Sequence, residues 1–109
     1  MDLSQTGGRY LGNEVSVNKA VAVSTASVEV SQPKIRAAIS IRNVSTAGQV
    51  ISLALSNNDV AVVNSGVQLG VGESFIDSSG EGYRCWSGSI RAISSAIGGS
   101  IAIMERVAN

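Results

Sequence analysis

The chain has 109 residues, 44% of them hydrophobic, with eight basic and eight acidic side chains and hence a formal net charge of zero. A chain of this length forms one domain that buries roughly 65% of the surface its unfolded form exposes. Both signs of charge are scattered rather than gathered into runs, which excludes the basic surface that phosphate binding requires, so no nucleic-acid partner is expected.

Much of the apolar content is Ala and Val, and the aromatics are Tyr10, Phe75, Tyr83 and Trp86. A core of small aliphatics gains less per residue at about 25 cal/mol per Å² of apolar area, and self-association would make up the difference. Zero net charge removes the self-repulsion that opposes such association. No stretch approaches the roughly 20 apolar residues of a membrane span, and Met1-Asp2-Leu3-Ser4-Gln5 lacks the basic and apolar regions of a signal peptide. Synthesis and use in a cytoplasm, with no membrane partner, are therefore expected. Cys85 is the single cysteine. It permits no internal disulfide and reads as a small core residue.

Residues 1–14 combine three glycines with polar residues and have Leu3, Tyr10 and Leu11 as their large apolar groups. They read as an extended N-terminal arm, which a partner subunit would order. Leu3, Arg9, Tyr10 and Leu11 are its candidate interface residues. Residues 15–109 read as one β-sandwich domain. Val15/Val17 and Val21/Val23 alternate with the two-residue period of strands, and Val28/Val30 continue the pattern past a break near Ser24-Thr25-Ala26. After Pro33, Ile35, Ala37, Ile39 and Ile41 share one predicted face, with Lys34, Arg36, Ser40 and Arg42 on the other.

A turn at residues 43–48 leads to Ile51, Leu53 and Leu55 alternating with Ser52, Ala54 and Ser56. A short strand is expected over Val60–Val63, then turns at Gly66, Gly70 and Gly72 around Val67–Leu69, and a strand through Phe75 and Ile76. The polar loop Asp77-Ser78-Ser79-Gly80-Glu81-Gly82 precedes predicted strands at Tyr83–Ser87, Ile90–Ser94 and Ser100–Val107. In the last of these Ile101, Ile103 and Glu105 share a face. Apolar residues nowhere hold a helical period over a usual helix length of about 11 residues. The fold class expected is all-β: about eight short antiparallel strands in a β-sandwich or jelly roll, preceded by the arm.

Histidine is absent, which removes the commonest general base and a common metal ligand. No serine sits in a Gly-x-Ser-x-Gly elbow, and only Lys19 and Lys34 could serve Ser-Lys chemistry, neither in a recognisable motif. No catalytic residue, cofactor or metal is assigned, and the chain is expected not to be an enzyme. Asp77 and Glu81 with their neighbouring hydroxyls offer oxygen ligands to calcium, but they lack the alternating acids of a calcium loop and fit a solvated hairpin whose Asp bonds its own backbone. Gly66, Gly70 and Gly72 precede no helix and are turn glycines rather than a phosphate cradle. Asn43-Val44-Ser45 matches a glycosylation acceptor by coincidence of a short pattern. Tyr83 and Trp86 lie three apart on a predicted strand and face opposite ways, so one points outward. With Arg84 or Arg91 it would meet a neighbouring subunit or stack a sugar; the alternative is core packing.

The runs Ile39-Ser40-Ile41-Arg42-Asn43-Val44-Ser45, Ile51-Ser52-Leu53-Ala54-Leu55 and Gly66-Val67-Gln68-Leu69-Gly70-Val71-Gly72-Glu73-Ser74 resemble small β-sandwich proteins of tailed-phage particles. The resemblance spans residues 35–105 and includes Ile90–Ile93 and Ile101–Glu105. It implies a virion protein, assembled in the host cytoplasm: a capsid decoration or cement protein that stabilises the shell, commonly a homo-trimer, with a major capsid or other virion protein as partner. The alternative is a carbohydrate- or receptor-binding module of a phage tail or fibre, whose partner would be a glycan.

Overall fold

The computed structural model describes residues 14–108, and the arm residues 1–13 lie outside the described residues. Among the described residues there are eight strands and no helix: β1 (Glu14–Val23), β2 (Val28–Ser31), β3 (Arg36–Asn43), β4 (Ile51–Leu55), β5 (Val67–Leu69), β6 (Ser74–Ser78), β7 (Ile90–Ser94) and β8 (Gly99–Ala108). They form two four-stranded sheets with the orders β1-β8-β3-β6 and β2-β7-β4-β5, all pairings antiparallel. β1 pairs with β8, β2 with β7, β3 with β6 and β4 with β5, so the chain is one long antiparallel ribbon. Its tip is the β4–β5 turn, and rolling it brings β3 beside β8 and β4 beside β7. This is a jelly roll.

The inner faces are built from the alternation legible in the sequence. Val23, Ile39, Ile41, Ile101 and Ile103 of the first sheet pack on Val30, Ile51, Leu53, Leu69, Ile90 and Ala92 of the second, with Cys85 completing the cluster. Branched aliphatics suit this role because they fill a pleated surface with few accessible rotamers.

Three strand expectations are corrected. Val15–Val23 and Val28–Val30 are not one interrupted strand: the turn between them carries the chain from the first sheet to the second. The face predicted for β3 reverses at its start, because the register against β8 slips between Arg36 and Ala38. A bulge adds one residue and shifts the alternation by one. Ile35 is consequently 57% exposed, whereas Arg36 is buried. Val60–Val63 is irregular rather than a strand. Residues 56–66 instead form a strap over the outside of β4, held where Ser52 Oγ accepts from Asn64 N–H (3.2 Å) and Ser27 Oγ from Ala61 N–H (2.9 Å). At the strap's end Gly66 adopts a φ of 77°, and an added Cβ would lie 2.2 Å from the Leu53 carbonyl oxygen. Only glycine fits there.

β3 carries a polar lock at each end. At its start, the Arg36 and Glu105 side chains are both fully buried and joined at 2.9 Å. Arg36 also donates to Ser31 Oγ (2.8 Å), the Gln32 carbonyl (2.9 Å) and the Trp86 carbonyl (2.6 Å). Glu105 accepts from Ser31 Oγ (2.5 Å) and from Lys34 Nζ (3.0 Å). Buried charges are tolerated only with this degree of pairing. At the other end Asn43 donates to the Gln49 and Leu69 carbonyls (2.7 and 2.8 Å) and accepts from Ser45 N–H (2.9 Å).

Burial on its own would push the Glu105 carboxyl up. The hydrogen bonds from Ser31, Arg36 and Lys34, with the Lys34 charge, outweigh it and hold the carboxyl below its ordinary value of 4.5. A depressed carboxylate contributes stability that is complete above its unfolded value and is lost as pH falls through the folded one. Glu105→Gln should therefore lower unfolding free energy at pH 7 by about 3 kcal/mol, since it strands the Arg36 charge. Urea titrations of both proteins should also show that the difference shrinks as pH drops below 4.5. A pH-independent difference would contradict this role for the carboxylate.

Candidate functional site: the aromatic corner beyond strand β6

Where β6 ends, the chain turns through residues 79–83. Gly80 and Tyr83 exchange backbone hydrogen bonds, Gly80 N–H to Tyr83 O at 3.0 Å and Tyr83 N–H to Gly80 O at 3.1 Å. Beyond this bridge residues 84–89 are irregular, which corrects the strand expected at Tyr83–Ser87. The reason lies in what satisfies their backbone. Cys85 N–H donates to Ser79 Oγ (3.0 Å) and Trp86 N–H to Asp77 Oδ2 (3.0 Å), so side chains replace a strand ladder.

Asp77 organises the corner. Its second oxygen, Oδ1, accepts from the Tyr83 hydroxyl at 2.8 Å. Tyr83 is 57% exposed, and the hydrogen bond to Asp77, followed by desolvation and the negative charge of Asp77, holds its phenol above the ordinary value. Trp86 is half-buried, its indole N–H donating to the Ser89 carbonyl at 2.9 Å. Gly88 lies under the indole, where a Cβ would approach Trp86 Cζ2 to 2.4 Å and Asn57 Oδ1 to 2.7 Å. Asn57 Oδ1 also accepts from Ser89 N–H (2.8 Å), and Ser89 Oγ donates to Glu29 (2.5 Å). The Trp86 carbonyl receives Arg36, which fastens the corner to the buried ion pair.

Of the residues singled out from the sequence, Tyr83 and Arg84 are exposed here, and Trp86 is half-buried against the core. Tyr83 is thus the outward aromatic. Arg91 does not join them: on β7 it is half-buried, donating through Nε to Ser27 Oγ (2.9 Å) and through its terminal nitrogen to the Ser27 carbonyl (3.2 Å). Leu3, Arg9, Tyr10 and Leu11 lie outside the described residues. Asp77 and Glu81 do not converge as ligands, since both Asp77 oxygens serve Tyr83 and Trp86. Among the described residues no group of three or more His, Cys, Asp and Glu side chains comes together. Sequence reasoning singled out Asp77 as a calcium ligand or turn residue and missed that it joins Tyr83 to Trp86. An acid at a strand end, six residues before a tyrosine across a Gly-containing turn, is the available signal.

The corner presents a phenol and a guanidinium to solvent on a backbone fixed by a carboxylate. Such a surface suits stacking and hydrogen bonding to a partner. Two open depressions accompany it elsewhere: about 310 Å³ between the strap and β4–β5, and about 450 Å³ beside Asn18, Ser40, Arg42 and Met104 on the outside of the first sheet. Comparison with known proteins finds neither a family model nor a curated protein that matches this chain.

Asp77→Ala should cost about 1–3 kcal/mol, because the Trp86 amide and the Tyr83 hydroxyl lose their acceptor. Trp86 is the single tryptophan, so its emission should move to longer wavelength while far-ultraviolet circular dichroism stays unchanged. Burial, with the nearby Asp77 charge, pushes the Cys85 thiol up to about 11. An aromatic disulfide reagent at pH 8 should therefore leave the native chain unmodified and titrate one thiol after denaturation. Rapid native labelling would contradict the burial.

Proposed function

We propose that this chain is a non-catalytic structural protein of a bacteriophage particle, a decoration or cement protein whose jelly roll packs on the shell surface and among its own copies. The observation that carries the reading is the strand order, two sheets formed by rolling one antiparallel ribbon. This architecture recurs in viral capsid and lectin domains, and the step from fold to role is one of analogy. The polar groups offer further support. The buried carboxylate, guanidinium and amide side chains of Glu105, Arg36 and Asn43 are engaged in holding strands together. That is the pattern of a scaffold rather than of a site poised to react.

The exposed Tyr83 and Arg84 favour a second reading, a carbohydrate-binding module of a tail or fibre. Tyrosine stacks on sugar faces while its hydroxyl bonds a ring substituent. In the structural reading the same corner is the centre of a protein contact.

Mass spectrometry of particles purified from the cells that encode this chain separates these roles. The decoration reading expects the chain in the particles in copy numbers comparable with those of the shell protein, and expects particles that lack it to lose their nucleic acid at lower temperature. Absence from the particles would overturn it. A few copies per particle, with glycan-array binding that Tyr83→Ala abolishes, would establish the tail or fibre role instead.

A further inference from the structure

A jelly roll with two open sheets has four strand edges, and three of them here are blunted. β5 has three residues, β2 has four and is followed by Pro33, and β6 has five and runs directly into the turn that Asp77 ties down. The fourth edge differs. β1 runs ten residues in unbroken register against β8, from Glu14 opposite Ala108 to Val23 opposite Gly99, with no proline, glycine or bulge. No described strand pairs with its other side.

The first half of β1 is also left uncovered. Val15 through Ala20 are exposed without interruption, although Val17 and Lys19 stand opposite the buried Glu105 and Ile103 on the inward face. Val15 is 42% and Val17 38% exposed. A long, straight edge with exposed valines is a template for another strand, and stable monomers usually suppress such edges.

We propose that β1 pairs antiparallel with β1 of a second copy across a two-fold axis, joining two first sheets into one of eight strands. Residues opposite each other in an antiparallel pair lie on the same face. A two-fold perpendicular to the sheet therefore brings together positions whose numbers differ by an even count, and the register centred on Val17 engages all of residues 14–20. It sets Val17 against Val17 and Val15 against the aliphatic stem of Lys19. Lys19 is the single charge between Val15 and Val23. This register separates the two ammonium groups by four residues along the strands, about 13 Å, which is beyond the screening length at physiological salt. Moving the centre to residue 19 would place them face to face. Zero net charge leaves no overall repulsion between copies. The pairing stands apart from the virion reading, since it rests on the edge alone.

Sedimentation equilibrium of the full chain tests it. The expected mass is twice the 11.1 kDa of one chain. Val17→Lys, a change at an exposed position, should raise the dissociation midpoint at least tenfold while leaving the far-ultraviolet circular dichroism of the folded chain unchanged. Val17→Cys should give a disulfide-linked pair on mild oxidation, and Ile76→Cys, at an exposed position on the far strand of the same sheet, should not. A monomer at all concentrations, a trimer, or a pair indifferent to Val17→Lys would overturn the proposal. So would equal cross-linking of both cysteine variants. Protection of β1 amides that depends on residues 1–13 in a monomer would assign the edge to the chain's own N-terminal segment and also overturn it.

Discussion

A carboxylate sealed from water needs its cation, and the meeting of Glu105 with Arg36 is the constraint around which this jelly roll is arranged. The two residues stand on neighbouring strands of one sheet, yet their remaining bonds go to Ser31, Gln32, Lys34 and Trp86, which belong to the second sheet or to the segments flanking its strands. The interaction thereby fixes the distance between layers at one end. An apolar replacement of similar volume would pack there too. What the ion pair adds is direction: a guanidinium fork accepts only a few arrangements of its acceptors, so the approach of β2 and the path of residues 84–89 are specified together.

The far end of β3 uses a neutral device for the same purpose. Asn43 has two amide hydrogens and directs them to carbonyls on either side of the β4–β5 hairpin. Between the two locks β3 contributes Ile39 and Ile41 to the core. The interior is therefore aliphatic in the middle and polar at both ends, which compensates for the scarcity of aromatics. Hydrophobic burial is non-directional, and a core of Val, Ile and Ala does little by itself to select one layer arrangement over another.

Much of this was legible in the sequence, and what was hidden has a physical reason. The alternation of Ile51 with Leu53, and of Ile101, Ile103 and Glu105, reads directly because period two survives wherever pairing is regular. Glu105 could be placed on the face of Ile101 and Ile103, though its partner could not be named. Arg36 was assigned to the wrong side because a bulge leaves no mark in composition, and alternation extended backward across it inverts. Tyr83–Ser87 has strand-like residues, but the acceptors for its amides come from Asp77 and Ser79 side chains, a competition that periodicity does not record. Val60–Val63 is apolar enough for a strand and serves as a strap, anchored through Ala61 and Asn64 by the Ser27 and Ser52 hydroxyls rather than by a strand ladder. At the aromatic corner, sequence reasoning narrowed the outward group to one of two and named Asp77, but periodicity could not join that carboxylate to Tyr83 and Trp86.

The pairing of β1 with β8 joins the first described strand to the last, and β8 then lies in the interior of its sheet, between β1 and β3. On the ribosome, β1 and β3 emerge long before the strand that separates them exists. Neither can complete its native pairing until β8 has been made. The first sheet of this domain is accordingly closed by β8, and the valines of the early strands must stay soluble until that strand arrives.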